Sequence, residues 1–132
     1  MSELKNQISQ FIDTKAKVYQ DISLAIHAKP EVSDFEYFAF VSINWEIWFF
    51  NSDSQTLSEQ LKKEGFEIEL PAAGHRTGFA ATYKSNKPGP TVVFLAEYDA
   101  LAGLGHGCGH NVFGATSSLA GAALKSVVDQ IG

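Results

Sequence analysis

The residues best suited to chemistry are concentrated in one stretch, positions 96–111. Two carboxylates, Glu97 and Asp99, precede two imidazoles, His106 and His110, and the only thiol of the chain, Cys108, lies between the imidazoles. Carboxylate, imidazole and thiolate are the groups that bind borderline divalent ions such as zinc. Because Cys108 and His110 are two positions apart, both reach one ion if the backbone between them is extended or turning. The pattern therefore indicates a metal site.

Glycines set the backbone around these side chains. Gly105, Gly107 and Gly109 alternate with the polar residues, and glycine adopts backbone angles that other residues avoid while letting the main chain approach an ion closely. The stretch follows the most continuously apolar run of the chain and opens a helix, and ligand sites of open α/β sheets collect at such junctions. We therefore expect the polar side chains to converge where a strand gives way to a helix.

The same residues allow other chemistry. Cys108 alone would be a small buried apolar residue. Paired with a histidine it would be a nucleophile, but ligands that face one ion explain the second histidine better. His106 is interpreted either as a neighbour of the metal ligands or as a residue that fixes the loop by hydrogen bonding. A dinucleotide-binding loop is excluded, because in the registers that begin at Gly103 and Gly105 the last glycine of G-x-G-x-x-G is replaced by Cys108 and His110.

Composition limits the class of protein further. The 132 residues carry 10 lysines and arginines against 15 acidic residues, a net charge of −5, so we expect no nucleic-acid partner. Apolar residues make up 45% and charged residues 19%, which is typical of a globular chain. A single cysteine permits no internal disulfide, and the densest apolar stretch is far shorter than the roughly 20 residues that cross a bilayer. We therefore expect a cytoplasmic protein that has no membrane partner.

Hydrophobic periodicity predicts helices at the beginning of the chain. Apolar residues at helical spacing from Leu4 to Ile26 predict a long helix that ends before Pro30, which cannot continue it. Ser33 followed by Glu36 is typical of a capping box, so a second helix is expected to start near position 34.

The period then changes from helical to strand-like. Apolar side chains alternate with polar ones from Val41 to Phe49, which predicts a strand, and the polar residues 51–54 predict a turn. Helical character returns with Leu57 and Leu61 and closes at Gly65. A helix interrupted by an aromatic strand is locally inconsistent, which marks the interruption as atypical.

The second half of the chain alternates strands with a helix. Residues 66–70 predict a short strand with one wet face, and residues 78–84 predict another. The continuous apolar run Thr91–Ala96 is typical of a strand buried on both faces. A helix rich in glycine and alanine, running to about Gln130, is expected to approach a sheet closely. The order of elements predicts the α/β class.

The stretch AEYDALAGLGHGCGHN at positions 96–111 resembles the signature of the metal-dependent amidohydrolases and metallopeptidases related to aminoacylase and carboxypeptidase G. The branch that it resembles includes aminobenzoyl-glutamate hydrolase, Xaa-Arg dipeptidase and indole-acetyl-amino-acid hydrolase. KKEGFEIEL, GPTVVFLAEYDAL and GATSSLAGAAL follow that branch in the same order. The resemblance implies the N-terminal part of a zinc-peptidase-like three-layer α/β/α domain, incomplete in this chain.

The resemblance also implies roles for single residues. Cys108 and His110 match two metal ligands of the family, and Asp99 matches the acidic residue that orients the site. Glu97 stands where more distant relatives have a metal-binding histidine. Glu97 and His106 are each expected to be either a metal ligand or a neighbour of the ligands. The implied cofactor is a pair of zinc or manganese ions that polarises an amide carbonyl and activates water, while a glutamate moves the proton.

The implied function is hydrolysis of the amide bond of N-acyl or aminoacyl amino acids, with a small dipeptide or N-acyl amino acid as substrate. We expect residues 1–132 to be a partial catalytic domain, inactive alone, because two ligands are fewer than the three that a catalytic zinc needs. Intact family members commonly form homodimers through a smaller domain that is absent here. Residues 41–54 are expected to be an insert, either a genuine hairpin or a scar of gene damage. The alternative functions are a non-catalytic interaction module and a degraded gene product.

Overall fold

A computed structural model describes residues 2–32 and 52–131 of the chain. Within these ranges the elements, in chain order, are α1 (Ser2–Ala28), α2 (Ser52–Lys63), β1 (Glu67–Glu69), β2 (Ala80–Thr82) and α3 (His110–Val128). This mixture of helices and a small two-stranded sheet is compatible with the predicted α/β class. The helix expected near position 34 and the strand expected at Val41–Phe49 lie outside the described residues, as does most of the insert expected at positions 41–54.

The long first helix is confirmed, and its apolar face supplies much of the core. Tyr19, Ile22 and Ile26 of α1 are buried at spacings of three and four residues, as one face of a helix requires. Nearer the N-terminus the same face is more open, since the side chain of Ile12 is 36% exposed. The helix therefore packs mainly through its C-terminal half, which is the half that leads toward the polar loop.

The polar residues before Leu57 form the first turn of α2 rather than the predicted turn. The prediction at positions 51–54 is wrong for residues 52–54, since α2 begins at Ser52. Asparagine, serine and aspartate favour helix starts as well as turns, and the carboxylate of Asp53 in the first turn is stabilised by the positive end of the helix dipole. Leu57 is fully buried, a contribution of about 1.5–3 kcal/mol from its side chain.

The small residues of α3 allow close packing, but mainly against α1 rather than against a sheet. Ala115, Ala122, Ala123 and Val127 are buried on this helix. Gly114 faces the extended chain instead: a methyl group added there would lie 3.2 Å from the carbonyl oxygen of Glu97 and 3.1 Å from the Cβ of Tyr98. The prediction that this helix packs closely is therefore correct, but its main packing partner is the helix α1 and not a sheet.

The prediction of a strand buried on both faces at Thr91–Ala96 is wrong. This run belongs to no strand, and Val93 and Leu95 are 70% and 74% exposed. Burial on both faces requires strands on each side and a packed layer above and below. Within residues 2–32 and 52–131 the only sheet is β1 with β2, so no neighbouring strand there flanks the run. The apolar sequence of the run is typical of a buried segment, but within the described residues the run is exposed.

The two short strands are confirmed, although they are shorter than the ranges 66–70 and 78–84. They pair antiparallel, with Ile68 opposite Ala81, and Ile68 is half-buried between exposed Glu67 and Glu69, as the alternation predicts.

The chain after β2 is fastened to the end of α3 by Asp129. The Asp129 carboxylate accepts hydrogen bonds from the hydroxyl groups of Tyr83 and Ser85, at 2.5 and 2.7 Å, and from the backbone N–H of Asn86. These bonds, that of Tyr83 foremost, hold the pKa of Asp129 below its ordinary value. The ionised carboxylate thus ties the hairpin to α3.

Among the described residues, no helix combines the length and the apolar character needed to cross a membrane.

The packing of Gly114 gives a direct test of the contact between α3 and the extended chain. Gly114→Ala places a methyl group against the Glu97 carbonyl, so we expect a loss of about 1–3 kcal/mol in the free energy of unfolding. Gly121→Ala is the matched control, since its methyl group meets only Phe94, at 3.7 Å, and alanine favours a helix by about 1 kcal/mol. Urea unfolding followed by circular dichroism measures both. Equal stabilisation by the two substitutions would contradict the packing described here.

Candidate metal centre

The polar stretch begins where the chain is attached to the end of α1. The backbone N–H of Ala100 donates to the carbonyl of Glu31 at 2.7 Å, and Val32 forms a parallel bridge with Ala100. Ala100 is almost fully buried at this junction. The residues just before it, Glu97 and Asp99, are therefore held at a fixed distance from the helix end.

A tight loop then reverses the chain. Leu101 and Gly105 exchange two backbone hydrogen bonds of 2.9 Å, which closes residues 101–105 into a compact turn. Gly109 ends the loop with a positive φ of 82°, and its carbonyl accepts the first backbone bonds of α3, from Val112 and Phe113. Since only glycine adopts this conformation at little cost, Gly109 determines the direction in which His110 leaves the loop.

His110 lies between the two carboxylates. Its Nδ1 is 3.0 Å from the backbone carbonyl oxygen of Asp99 and 3.1 Å from the Asp99 carboxylate, while its Nε2 is 3.1 Å from the carboxylate of Glu97. The His110 side chain is 25% exposed, so the ring is sheltered but reachable from solvent. The structure thus brings together three of the predicted site residues, Glu97, Asp99 and His110.

The contacts of Asp99 determine which nitrogen of His110 carries the proton. A backbone carbonyl oxygen accepts hydrogen bonds and never donates them, so Nδ1 must be the protonated nitrogen that donates to Asp99. In the neutral ring, Nε2 then carries a lone pair. A histidine with its Nδ1–H held by a carbonyl or carboxylate is the usual arrangement of a metal ligand that binds through Nε2. Asp99 is accordingly placed to orient His110.

His106 is buried on the other side of the loop, at 8% exposure, beside the helix end. Its ring lies 6.1 Å from that of His27, and neither ring nitrogen makes a hydrogen bond within the described part of the chain. Burial, and next the charge of His27, lower the pKa of His106. His106 does not join the contacts between His110 and the two carboxylates.

Cys108 is exposed and free. Within residues 2–32 and 52–131, no three histidine, cysteine, aspartate or glutamate side chains form a group that could hold a metal ion. The predicted pairing of Cys108 with His110 on one ion therefore stays a prediction.

Two residues of α1 that shape the site, Ser23 and His27, were not predicted from the sequence. His27 lies against His106, and Ser23 accepts two hydrogen bonds from the buried side-chain amide of Asn111, at 3.1 and 3.2 Å. Asn111 follows His110 directly, so this bond fixes the first turn of α3 to α1. The sequence carried no signal for these contacts, because the periodicity of a helix shows which face is apolar and not which loop packs against the end of the helix.

Comparison with known proteins identifies relatives of the chain. No protein-family model matches the chain. The chain is 30% identical to one of the subunits of the p-aminobenzoyl-glutamate hydrolase of Escherichia coli, over 100% of this chain and 28% of that protein. It is 31% identical to the Xaa-Arg dipeptidase of Mus musculus, over 97% of this chain and 28% of that protein. It is also 30% identical to thermostable carboxypeptidase 2 of Saccharolobus solfataricus, over 84% of this chain and 27% of that protein.

The chain belongs to this amidohydrolase and metallopeptidase family. The resemblance expected from positions 96–111 is thereby confirmed, because the similarity extends over the whole chain. The chain spans about 28% of the length of the relatives that it matches.

The loop of this family member offers a test of how His110 is positioned. Gly109→Ala forces a residue with a side chain into the left-handed region, and since nothing lies within 4 Å of the added methyl group, the cost is that of the backbone alone, roughly 1–2 kcal/mol. Gly89→Ala is the control, because its surroundings are equally open and its φ is not in that region. Urea unfolding of both variants provides the comparison, and equal tolerance of the two substitutions would show that Gly109 does not constrain the start of α3.

Proposed function

We propose that this chain supplies part of the metal centre of an enzyme that hydrolyses the amide bond of N-acyl or aminoacyl amino acids. Family membership supports the reaction class, since the relatives are named as a hydrolase of p-aminobenzoyl-glutamate, dipeptidases and a carboxypeptidase. The observation that carries the proposal is the orientation of His110, which Asp99 holds through Nδ1 while Nε2 stays available to an ion. A small dipeptide or N-acyl amino acid is the proposed substrate.

Imidazole and thiolate donors suit zinc, and we propose zinc or manganese as the ion, as the family resemblance implies. The imidazole of His110 and the thiolate of Cys108 would hold it, with Asp99 as the positioning residue. Such an ion, when bound, polarises the scissile carbonyl and lowers the pKa of a bound water. Cys108 is accessible to solvent, so its thiol has room to turn toward His110.

Two donors do not complete a catalytic centre. A catalytic zinc takes three protein ligands and an open position, so the remaining donors and the general base belong to other parts of the enzyme. The chain spans 28% of the length of its relatives, which is consistent with a partial catalytic domain. We propose that it forms part of a three-layer α/β/α domain, in which the apolar run Thr91–Ala96 would find the burial that its sequence demands.

Exchange of the matching segment of a relative tests this function. A chimera in which this chain replaces its counterpart in the mouse Xaa-Arg dipeptidase should hydrolyse dipeptides in the presence of zinc or manganese. Cys108→Ser and His110→Ala in the chimera should lower kcat/KM by at least about 10²-fold, because each removes a proposed ligand, whereas His75→Ala in an exposed turn should leave it unchanged. Full activity of the Cys108→Ser chimera would contradict the proposal, as would a chimera that is folded by circular dichroism and inactive.

A second candidate function is a non-catalytic interaction module. The exposed run from Val92 to Leu95 favours it, since a contiguous patch of exposed apolar side chains is typical of a surface that associates with another chain.

This candidate predicts concentration-dependent association through the run. Leu95→Lys, at a side chain that is 74% exposed, should abolish association in analytical ultracentrifugation without lowering the thermal midpoint, because lysine at an exposed edge opposes pairing. Leu24→Lys, on an exposed face of α1, is the control. A wild-type chain that is monomeric at every concentration would argue against the module.

A further inference from the structure

Nε2 of His110 faces the carboxylate of Glu97, a contact that plays no part in the positioning of His110 by Asp99. Nε2 is 3.1 Å from Oε2 of Glu97, on the side of the ring opposite Asp99. Glu97 is only two residues before Asp99, and the alternation of side chains along an extended chain would send both to the same side of the backbone. The two carboxylates therefore enclose the imidazole from its two nitrogen atoms.

The contact between Nε2 and Glu97 places two acceptors against each other. Because the Asp99 carbonyl requires the proton of His110 on Nδ1, the neutral ring presents a lone pair to the Glu97 oxygen. A lone pair and a carboxylate oxygen at 3.1 Å repel unless a cation lies between them. The contact therefore calls for a cation, either a second proton on the ring or a metal ion.

The separation of the two atoms suits two ligands of one ion. With bonds of about 2.0–2.1 Å, neighbouring ligands of a metal lie roughly 2.9 Å apart at a right angle and roughly 3.3 Å apart at the tetrahedral angle. The observed 3.1 Å falls between these values. Nitrogen and oxygen donors from His110 and Glu97 could thus share an ion with little movement.

The backbone of Glu97 is held while its side chain stays accessible. The carbonyl of Glu97 packs against Gly114 of α3, and the hydroxyl of the next residue, Tyr98, donates to the carbonyl of Thr77 at 2.5 Å. The side chain of Glu97 is 62% exposed, so an ion enters from solvent without any rearrangement of the core. Substitution of this side chain is therefore expected to leave the fold intact.

We infer that Glu97 is a direct ligand that holds a divalent ion together with Nε2 of His110, whereas Asp99 acts only through Nδ1. This inference rests on the proposed function and identifies a carboxylate donor in the metal centre. A carboxylate favours manganese more than an imidazole or a thiolate does. Glu97 would therefore raise the affinity of the site for manganese.

Metal binding by the full chain tests the assignment without any need for activity. Titration of the chain with Mn²⁺, followed by the electron paramagnetic resonance signal of the free ion, should show Glu97→Gln weakened by more than the roughly 10–100-fold that loss of an outer partner costs. Asp99→Asn keeps an acceptor for Nδ1 and should stay within or below that range. Glu97→His should retain Zn²⁺ and lose Mn²⁺, since it replaces an oxygen donor with an imidazole. Circular dichroism of each metal-free variant provides the check on folding.

The outcomes separate this inference from the proposed function. Equal Mn²⁺ affinity of wild type and Glu97→Gln, with His110→Ala impaired, would overturn the role of Glu97 and leave the chimera assay as the test of hydrolysis. A wild-type chain that binds neither ion would also overturn it. An active chimera combined with either result would retain the hydrolase function without Glu97 as a ligand.

Discussion

The placement of one proton, on Nδ1 of His110, is the constraint on which the candidate centre depends. The carbonyl and the carboxylate of Asp99 both face this nitrogen, and a carbonyl oxygen accepts only. The opposite nitrogen is thereby left as a donor of electrons in the neutral ring. Metal binding, the positioning role of Asp99 and the significance of the Glu97 contact all follow from this one tautomer.

The contacts around His110 and Asp99 hold these two residues close together. Asp99 is fixed from behind by the bond of Ala100 to Glu31 at the end of α1. His110 is fixed from the other side, because Asn111 is bonded to Ser23 of the same helix. Asp99 and His110 are therefore both positioned by contacts with α1 or with the residues that follow it. The buried apolar face around Ile22 and Ile26 holds that helix in place. The core supports the site although it lies on a different part of the chain.

Much of this arrangement could be predicted from local sequence patterns. The period of α1 and the alternation of β1 each have a local physical cause, and each pattern led to the correct element. The acids, imidazoles and thiol at 96–111 led to the family resemblance, while their role as a metal centre stays a prediction. The burial of Thr91–Ala96 could not be predicted in the same way, because burial depends on neighbours that are distant in sequence. Residues 52–54 show a different difficulty, since serine and aspartate satisfy backbone groups in a turn and at a helix start alike. His27 and Ser23 were missed because a helix pattern reports which face is apolar and gives no sign of which loop packs on its end.

The tautomer of His110 in the metal-free chain is the most direct test of this account. Long-range ¹H–¹⁵N NMR correlation at a pH well above the ordinary histidine pKa of about 6.5 distinguishes a protonated Nδ1 from a protonated Nε2 by their nitrogen shifts. The account predicts Nδ1–H for His110, and addition of Zn²⁺ should then shift the Nε2 resonance selectively. A ring that is protonated on Nε2, donating to Glu97, would contradict the account, because the lone pair would then face Asp99 and no ion could be held on the side of Glu97.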